Sequence, residues 1–195
     1  LRIFFYFAEK KEIMKKVAVH LAEGFEEIEA VSIIDVLRRS GMEVITVSTT
    51  GNKKVTGSHH ITILADQLFE ELDYNLVDMI VLPGGMPGAK NLNNHHELKK
   101  QILQFSKKNK PLGAICAAPL VFGQLGILEG KKTTCFPGFE DYLEGANLTG
   151  AATEVDGNII TGKGAGVALK FALKIVEFFK GKEVADELAK KMILN

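Results

Sequence analysis

Two hydrophobic rhythms alternate along this chain. Lys16 to Ala22 (KVAVHLA) is a β-rich run that ends at Gly24, the pattern of a buried strand. From Glu26 to Arg39 the apolar positions Ile28, Val31, Ile34 and Leu37 recur at helical spacing and stop at Gly41. Glu43 to Ser48 (EVITVS) predicts a second strand. Lys54 to Leu64 predicts a short irregular hairpin with Gly57 and Ser58 as breakers, and Asp66 to Leu72 a brief helix. Val77 to Leu82 is continuously apolar, as a central parallel strand is. It runs into Pro83-Gly84-Gly85-Met86-Pro87-Gly88, a loop dense in residues with special backbone preferences. Glu97 to Lys108 is an amphipathic helix, and Leu112 to Ile115 is a buried strand followed at once by a helix from Ala117 to Leu125. Lys132 to Cys135 and Asn158 to Gly162 each suit a strand, and helices over Gly166 to Phe179 and Val184 to Met192 close the chain.

Strands alternate with helices throughout, which predicts a parallel sheet covered on both faces. The expected architecture is α/β, flavodoxin-like and doubly wound, with a mostly parallel sheet. No linker, internal repeat or low-complexity tract interrupts residues 14–195, so they are expected to form one domain. In such sheets the ligand crevice lies at the carboxyl ends of the strands. The loop after Ala22, the loop after Leu82 and the turn at Cys116 would meet there.

Leu1 to Ala8 (LRIFFYFA) is apolar but too short to span a bilayer. Lys10, Lys11 and Glu12 follow it where a signal peptide would carry a small-residue cleavage site. Met14 stands just before the first strand. Residues 1–13 therefore read as an extension ahead of the natural start, packed on a neighbouring chain or a sheet edge.

Charge removes several function classes. Among 195 residues, 24 basic side chains balance 24 acidic ones, so there is no basic field for nucleic acid or a membrane surface. The two cysteines, Cys116 and Cys135, have no histidine at metal-ligand spacing, which argues against structural zinc. Without a secretory signal, a reducing cytoplasm is the expected compartment.

The chemistry-bearing segment is Gly113-Ala114-Ile115-Cys116-Ala117-Ala118-Pro119. A buried strand enters a helix directly, with small residues around the cysteine and a proline tolerated in the first helical turn. That is the pattern of a nucleophile elbow with Cys in place of Ser. Free N–H groups at a helix start would favour a thiolate, although a buried structural cysteine fits the same residues. Glu29 lies in Gly24-Phe25-Glu26-Glu27-Ile28-Glu29. Glu26 and Glu27 fit a solvated face in the first turn of a helix. If Glu29 approaches Cys116, the productive arrangement is a protonated carboxyl donating to the thiolate, titrating as a unit. Gly84 and Gly85 would let backbone N–H groups turn toward the thiol and join that of Ala117 in an oxyanion hole. A loop that merely needs positive φ would carry the same glycines.

Four stretches in this order resemble the ThiJ/PfpI superfamily, in particular its parkinsonism-associated deglycase (DJ-one) branch. They are Leu21 to Glu29, Val81 to Gly85, Ala114 to Pro119 and Gly162 to Gly166, and the resemblance covers about residues 15 to 193. It implies Cys116 as nucleophile, Glu29 as its protonated partner, Gly85 and Ala117 as oxyanion donors, and Gly84, Cys135 and Ala165 at the pocket. It also implies a homodimer and a cofactor-independent glyoxalase or deglycase acting on small α-oxoaldehydes. The alternative is an oxidative-stress sensor or chaperone whose cysteine becomes a sulfinate.

Departures from the pattern matter. Protease-like members carry His after the nucleophile, where this chain has Ala117, and some members of the branch have His where Cys135 aligns. His20, His59, His60, His95 and His96 occupy neither place, and His59 and His60 are expected in an exposed loop. A Cys–His peptidase is disfavoured. Lys163 and Ala165 replace the Arg and Pro common in the branch. Gly162 to Gly166 does not complete a dinucleotide fingerprint, because Leu169 holds the last glycine's place. No metal or cofactor is expected.

Overall fold

The computed structural model describes residues 14–194. The expected packing of residues 1–13 lies outside them. Strand β1 (Lys16–Leu21) is followed by α1 (Glu27–Arg39) and β2 (Glu43–Ser48). The hairpin β3 (Lys54–Thr56) and β4 (Thr62–Leu64) leads to β5 (Gln67–Leu68), then β6 (Met79–Leu82), α2 (Gly88–Asn94), α3 (His96–Lys107), β7 (Leu112–Ile115) and α4 (Pro119–Gln124). The chain ends with β8 (Lys132–Thr133), β9 (Asn147–Leu148), β10 (Thr153–Asp156), β11 (Ile159–Gly162), α5 (Ala168–Lys180) and α6 (Lys182–Lys191).

The main sheet has the order β10-β11-β7-β6-β1-β2-β5. All neighbours are parallel except the β10–β11 pair. Alternate side chains feed two cores. Ala18, Ile80, Leu82, Leu112 and Ala114 pack with α2, α3 and α4. Val17, Val19, Met79, Val81 and Ile115 pack with α1, α5 and α6. The winding reverses between β1 and β6, and in a doubly wound sheet that switch point opens a crevice. The loops there are tied together: Glu26 N–H donates to the Gly84 carbonyl at 2.9 Å and Gly88 N–H to that of Gly24 at 3.1 Å. Cys116 packs against both cores, so the turn out of β7 lies at their seam.

The structure departs from the periodic reading in four places. Ile28 and Val31 are 60% and 49% exposed, and α1 buries Ala30, Ile33, Val36 and Leu37 instead. Two overlapping stripes share this helix, and Ile33, Val36 and Leu37 win the sheet. Asp66 to Leu72 is not a helix of several turns. The Asp66 carboxylate accepts from the Thr46 N–H and hydroxyl, both at 2.8 Å, and draws β5 alongside β2 before a 3-10 turn at Phe69–Glu71. β8 stays outside the main sheet and pairs with β9. The place beside β11 belongs to β10, which returns through a turn at Gly157 (φ +60°).

Candidate active site

The turn after β7 is strained in the way its small neighbours permit. Cys116 has φ +63°, the left-handed region that a side chain rarely enters. Its N–H donates to Gly162 of β11 at 2.9 Å, and its carbonyl accepts from Phe136 N–H at 2.8 Å. The thiol is half-buried. The N–H groups of Gly85 and Ala117 reach the sulfur.

Glu29 enters from α1. Glu26 caps that helix, its carboxylate accepting from Glu29 N–H at 2.7 Å, and this fixes the direction of the Glu29 backbone. The Glu29 carboxyl is 0% exposed and lies within hydrogen-bonding reach of the Cys116 thiol. Its Oε2 accepts from Gly84 N–H at 2.7 Å. Among the described residues, no donor reaches its buried Oε1. Gly84 must be glycine for reasons of space. A Cβ there would stand 2.6 Å from the Cys116 Cβ and 2.9 Å from Glu29 Oε2. Gly85 has φ +88°, and its Cβ would strike the Glu26 backbone nitrogen.

Burial dominates the electrostatics of the pair. It pushes Glu29 up to about 7, against the lowering pull of the Gly84 N–H and the Cys116 thiol. The Cys116 thiol is pushed up to about 12, by burial first and then by the Glu29 charge and its hydrogen bond. The expectation of a thiol made acidic by a helix start is therefore corrected. Helix α4 begins only at Pro119, and the Gly85 and Ala117 N–H groups are outweighed. Protonating Glu29 would remove its charge and hydrogen-bond contributions, but burial, the first cause, would still hold the thiol up.

The other positions that the resemblance puts at the pocket, Cys135 and Ala165, follow β8 and β11. Cys135 is 5% exposed, and its thiol is pushed up to about 11 by burial and then by Glu140. Ala165 opens a 3-10 turn just after β11 and is half-buried. A Cβ on neighbouring Gly164 would lie 3.2 Å from the Phe136 ring, so the Ala165 turn and Phe136 border the same rim. No histidine is among the groups acting on Cys116.

Glu27 corrects the reading of a solvated first turn. It is 4% exposed. It accepts from His59 N–H at 2.6 Å, His59 Nδ1 at 2.9 Å, and Ile61 N–H and Ser58 Oγ at 3.3 Å each. Burial raises its pKa, yet the His59 and Ile61 donors bring it down to about 2. His59 is exposed as expected, and it latches the hairpin onto α1; the Glu27 hydrogen bond and charge raise its pKa. Glu26, Glu27 and His59 bring ligand atoms within 4.8 Å of one another, but the hairpin donors already occupy Glu27. In the sequence, the only hint of this latch was two adjacent glutamates ahead of a Gly-Ser-His turn.

Fold and site together define a class: flavodoxin-like proteins with a cysteine on the turn out of a central strand and a buried carboxyl against it. Known proteins narrow that class. The DJ-1/PfpI family model matches residues 15–178, and the chain belongs to this family. It is 41% identical over 180 residues to DJ-1 homolog B of Arabidopsis thaliana, covering 92% of this chain but 41% of that protein. The chain thus spans less than half the length of that relative. It is 36% identical over 183 residues to dj-1beta of Drosophila melanogaster, covering 92% and 97%. The solved Drosophila DJ-1beta structure superposes with a TM-score of 0.90 at 33% identity, over 94% of this chain and all of that one. Oxidized Toxoplasma gondii DJ-1 gives a TM-score of 0.88 at 36% identity, over 92% and 98%. Among the described residues, no helix is long and apolar enough to cross a membrane.

Proposed function

We propose that the protein is a cofactor-independent enzyme of the glyoxalase or deglycase type, acting on small α-oxoaldehydes or their adducts. The observation that carries this reading is a fully buried Glu29 carboxyl, poised near neutral pH against the Cys116 thiol. A general acid–base works best with a pKa near the operating pH. In the reactive form Glu29 holds the shared proton and Cys116 is the anion. The sulfur adds to the aldehyde carbon, giving a hemithioacetal whose oxyanion is held by the Gly85 and Ala117 N–H groups. Glu29 gives its proton to that oxyanion, and the freed carboxylate takes the proton from the same carbon and returns it to the adjacent carbonyl carbon, while the hydroxyl proton passes to the carbonyl oxygen. The resulting thioester is hydrolysed by water, which releases a 2-hydroxy acid and restores the thiol. A deglycase would use the same attack on an aldehyde adduct. A peptidase remains disfavoured, since no imidazole acts on Cys116.

The test is lactate formation from methylglyoxal by the wild type, Cys116→Ser and Glu29→Gln. Turnover confined to the wild type supports the proposal, and equal rates in all three remove it. A second reading draws on the half-buried thiol and on the oxidized form of the Toxoplasma relative. In it, Cys116 senses oxidants through a sulfinate, with negligible turnover.

A homodimer fits the outer stripe of α1. Ile28 and Val31 are exposed there, and Val31 shares a groove with Ile63 and Leu64 of the hairpin. A second copy of this apolar face would cover it without charge repulsion. Val31→Glu should yield a monomer in sedimentation, and an unchanged mass would remove the dimer. Two unpaired cysteines fit a reducing, cytoplasmic setting.

A further inference from the structure

Cys135 is a thiol that the aldehyde chemistry leaves without a task. Its backbone is joined to that of Cys116 by one hydrogen bond, from Phe136 N–H to the Cys116 carbonyl at 2.8 Å. A link of that kind holds the two Cα atoms about 5–7 Å apart, the span that a disulfide bridges. Both segments are pinned to neighbouring residues of β11. Thr134 N–H donates to Thr161 Oγ1 at 3.0 Å, and Cys116 N–H donates to the Gly162 carbonyl at 2.9 Å. Both side chains pack in the same apolar cluster, and both are free thiols. They differ in access: Cys116 is half-buried at the crevice and Cys135 is closed behind it.

We propose that Cys116 and Cys135 form a reversible redox pair, in which a hydroperoxide oxidises Cys116 and Cys135 resolves it as a disulfide within one chain. The inference rests on the reading of Cys116 as a nucleophile and needs no aldehyde. Glu29 takes the thiol proton, and the Cys116 sulfur attacks the terminal peroxide oxygen. The O–O bond breaks, sulfur loses two electrons to become a sulfenic acid, and Glu29 returns the proton to the departing alkoxide. The Cys135 sulfur then attacks the sulfenic sulfur. The S–O bond breaks, and hydroxide leaves with the Cys135 proton as water. Two equivalents of an external thiol reduce the disulfide, so the cycle converts one hydroperoxide and two thiols to alcohol, water and the external disulfide. Cys135 is buried and Cys116 only half-buried, so peroxide meets Cys116 first. The disulfide would also close the aldehyde site until it is reduced, sparing Cys116 the irreversible steps beyond sulfenic acid.

The test treats the full chain with hydrogen peroxide, blocks remaining thiols by alkylation, and maps it without reduction. Trypsin cuts at Lys131 and Lys132 between the two cysteines, so a bridge joins two peptides. The wild type should lose both alkylable thiols together and show linked peptides, reversed by dithiothreitol. Cys135→Ser and Cys135→Ala should instead accumulate roughly tenfold more Cys116 sulfinate than the wild type at equal peroxide. A wild type with sulfinate at Cys116 and an alkylated Cys135 would overturn the proposal, as would an unmodified Cys116. Mixing isotope-labelled with unlabelled chains reports the remaining outcome, since mixed-label linked peptides mean a bridge between chains and also overturn it. None of these readouts uses aldehyde turnover, so failure here is distinct from failure of the glyoxalase reading.

Discussion

Glu27 and Glu29 stand two residues apart on one helix, both buried, yet their carboxyls are driven in opposite directions. Glu27 meets four donors and is held near 2, so it keeps its charge. Glu29 meets one backbone N–H and a thiol, keeps an unpaired oxygen, and rises to about 7. Burial raises both. The number of donors decides which carboxylate stays charged and which holds its proton toward neutral pH. One turn of helix thus presents an anchored acid on the hairpin side and, on the crevice side, the acid that the proposed chemistry uses.

The largest expected effect separates the two by turnover. Glu29→Gln keeps the shape but loses the proton carrier, and should lower kcat/KM for methylglyoxal by about 100-fold or more. Glu27→Gln, which touches only the hairpin, should change it far less. A similar loss from both would erase the contrast. Gly84→Ala attacks the contact that places Glu29. Its methyl group cannot fit between Cys116 and the carboxyl, so about 1–3 kcal/mol of stability and most turnover should be lost together. Urea melts and steady-state rates read both.

Glu27→Gln should show its own cost in stability. Neutralising the carboxylate weakens the hold on the His59 and Ile61 N–H groups, for about 1–3 kcal/mol in urea melts. A change within error would mean the latch is decorative. The subtlest effect is the sign of the pH dependence. The folded Glu29 binds its proton above the ordinary value, so its contribution favours the folded state at acid pH and is lost as pH rises from about 4.5 through about 7. The folded Glu27 does the reverse: its stabilisation is present above about 4.5 and is lost as pH falls toward about 2. The His59 side of the latch is present below about 6.5 and is lost as pH rises through its raised value. Stability curves of Glu29→Gln and Glu27→Gln should diverge from the wild type at opposite ends of the pH range, with roughly 3 kcal/mol at stake for Glu29.

Much of the scaffold was legible in the chain because it is local. The continuous run ending at Leu82 and the strand entering Cys116 announce their places, and Gly84 and Gly85 stand where side chains would collide. What escaped was decided by distant contacts. Helical spacing alone could not choose between the Ile28–Val31 stripe and the one through Ile33 and Val36. Glu27 looked solvated because its donors lie more than thirty residues away, in the hairpin. Thr46 captures Asp66 across twenty residues, and the place beside β11 goes to β10 while β8 pairs with β9. The direction of the Cys116 shift depends on burial, which no local motif reports. Family order brought Glu29 to Cys116 in prospect, and the structure brings the two side by side at Gly84.

The most direct test of that proton is a pH titration of the Glu29 carboxyl carbon by NMR, with thiolate absorbance followed in parallel. The account predicts that Glu29 stays protonated up to about 7, well above the ordinary 4.5. Thiolate absorbance, absent from Cys116→Ser, should stay low in that range because burial holds the thiol protonated. A carboxyl that ionises near 4.5 would contradict it.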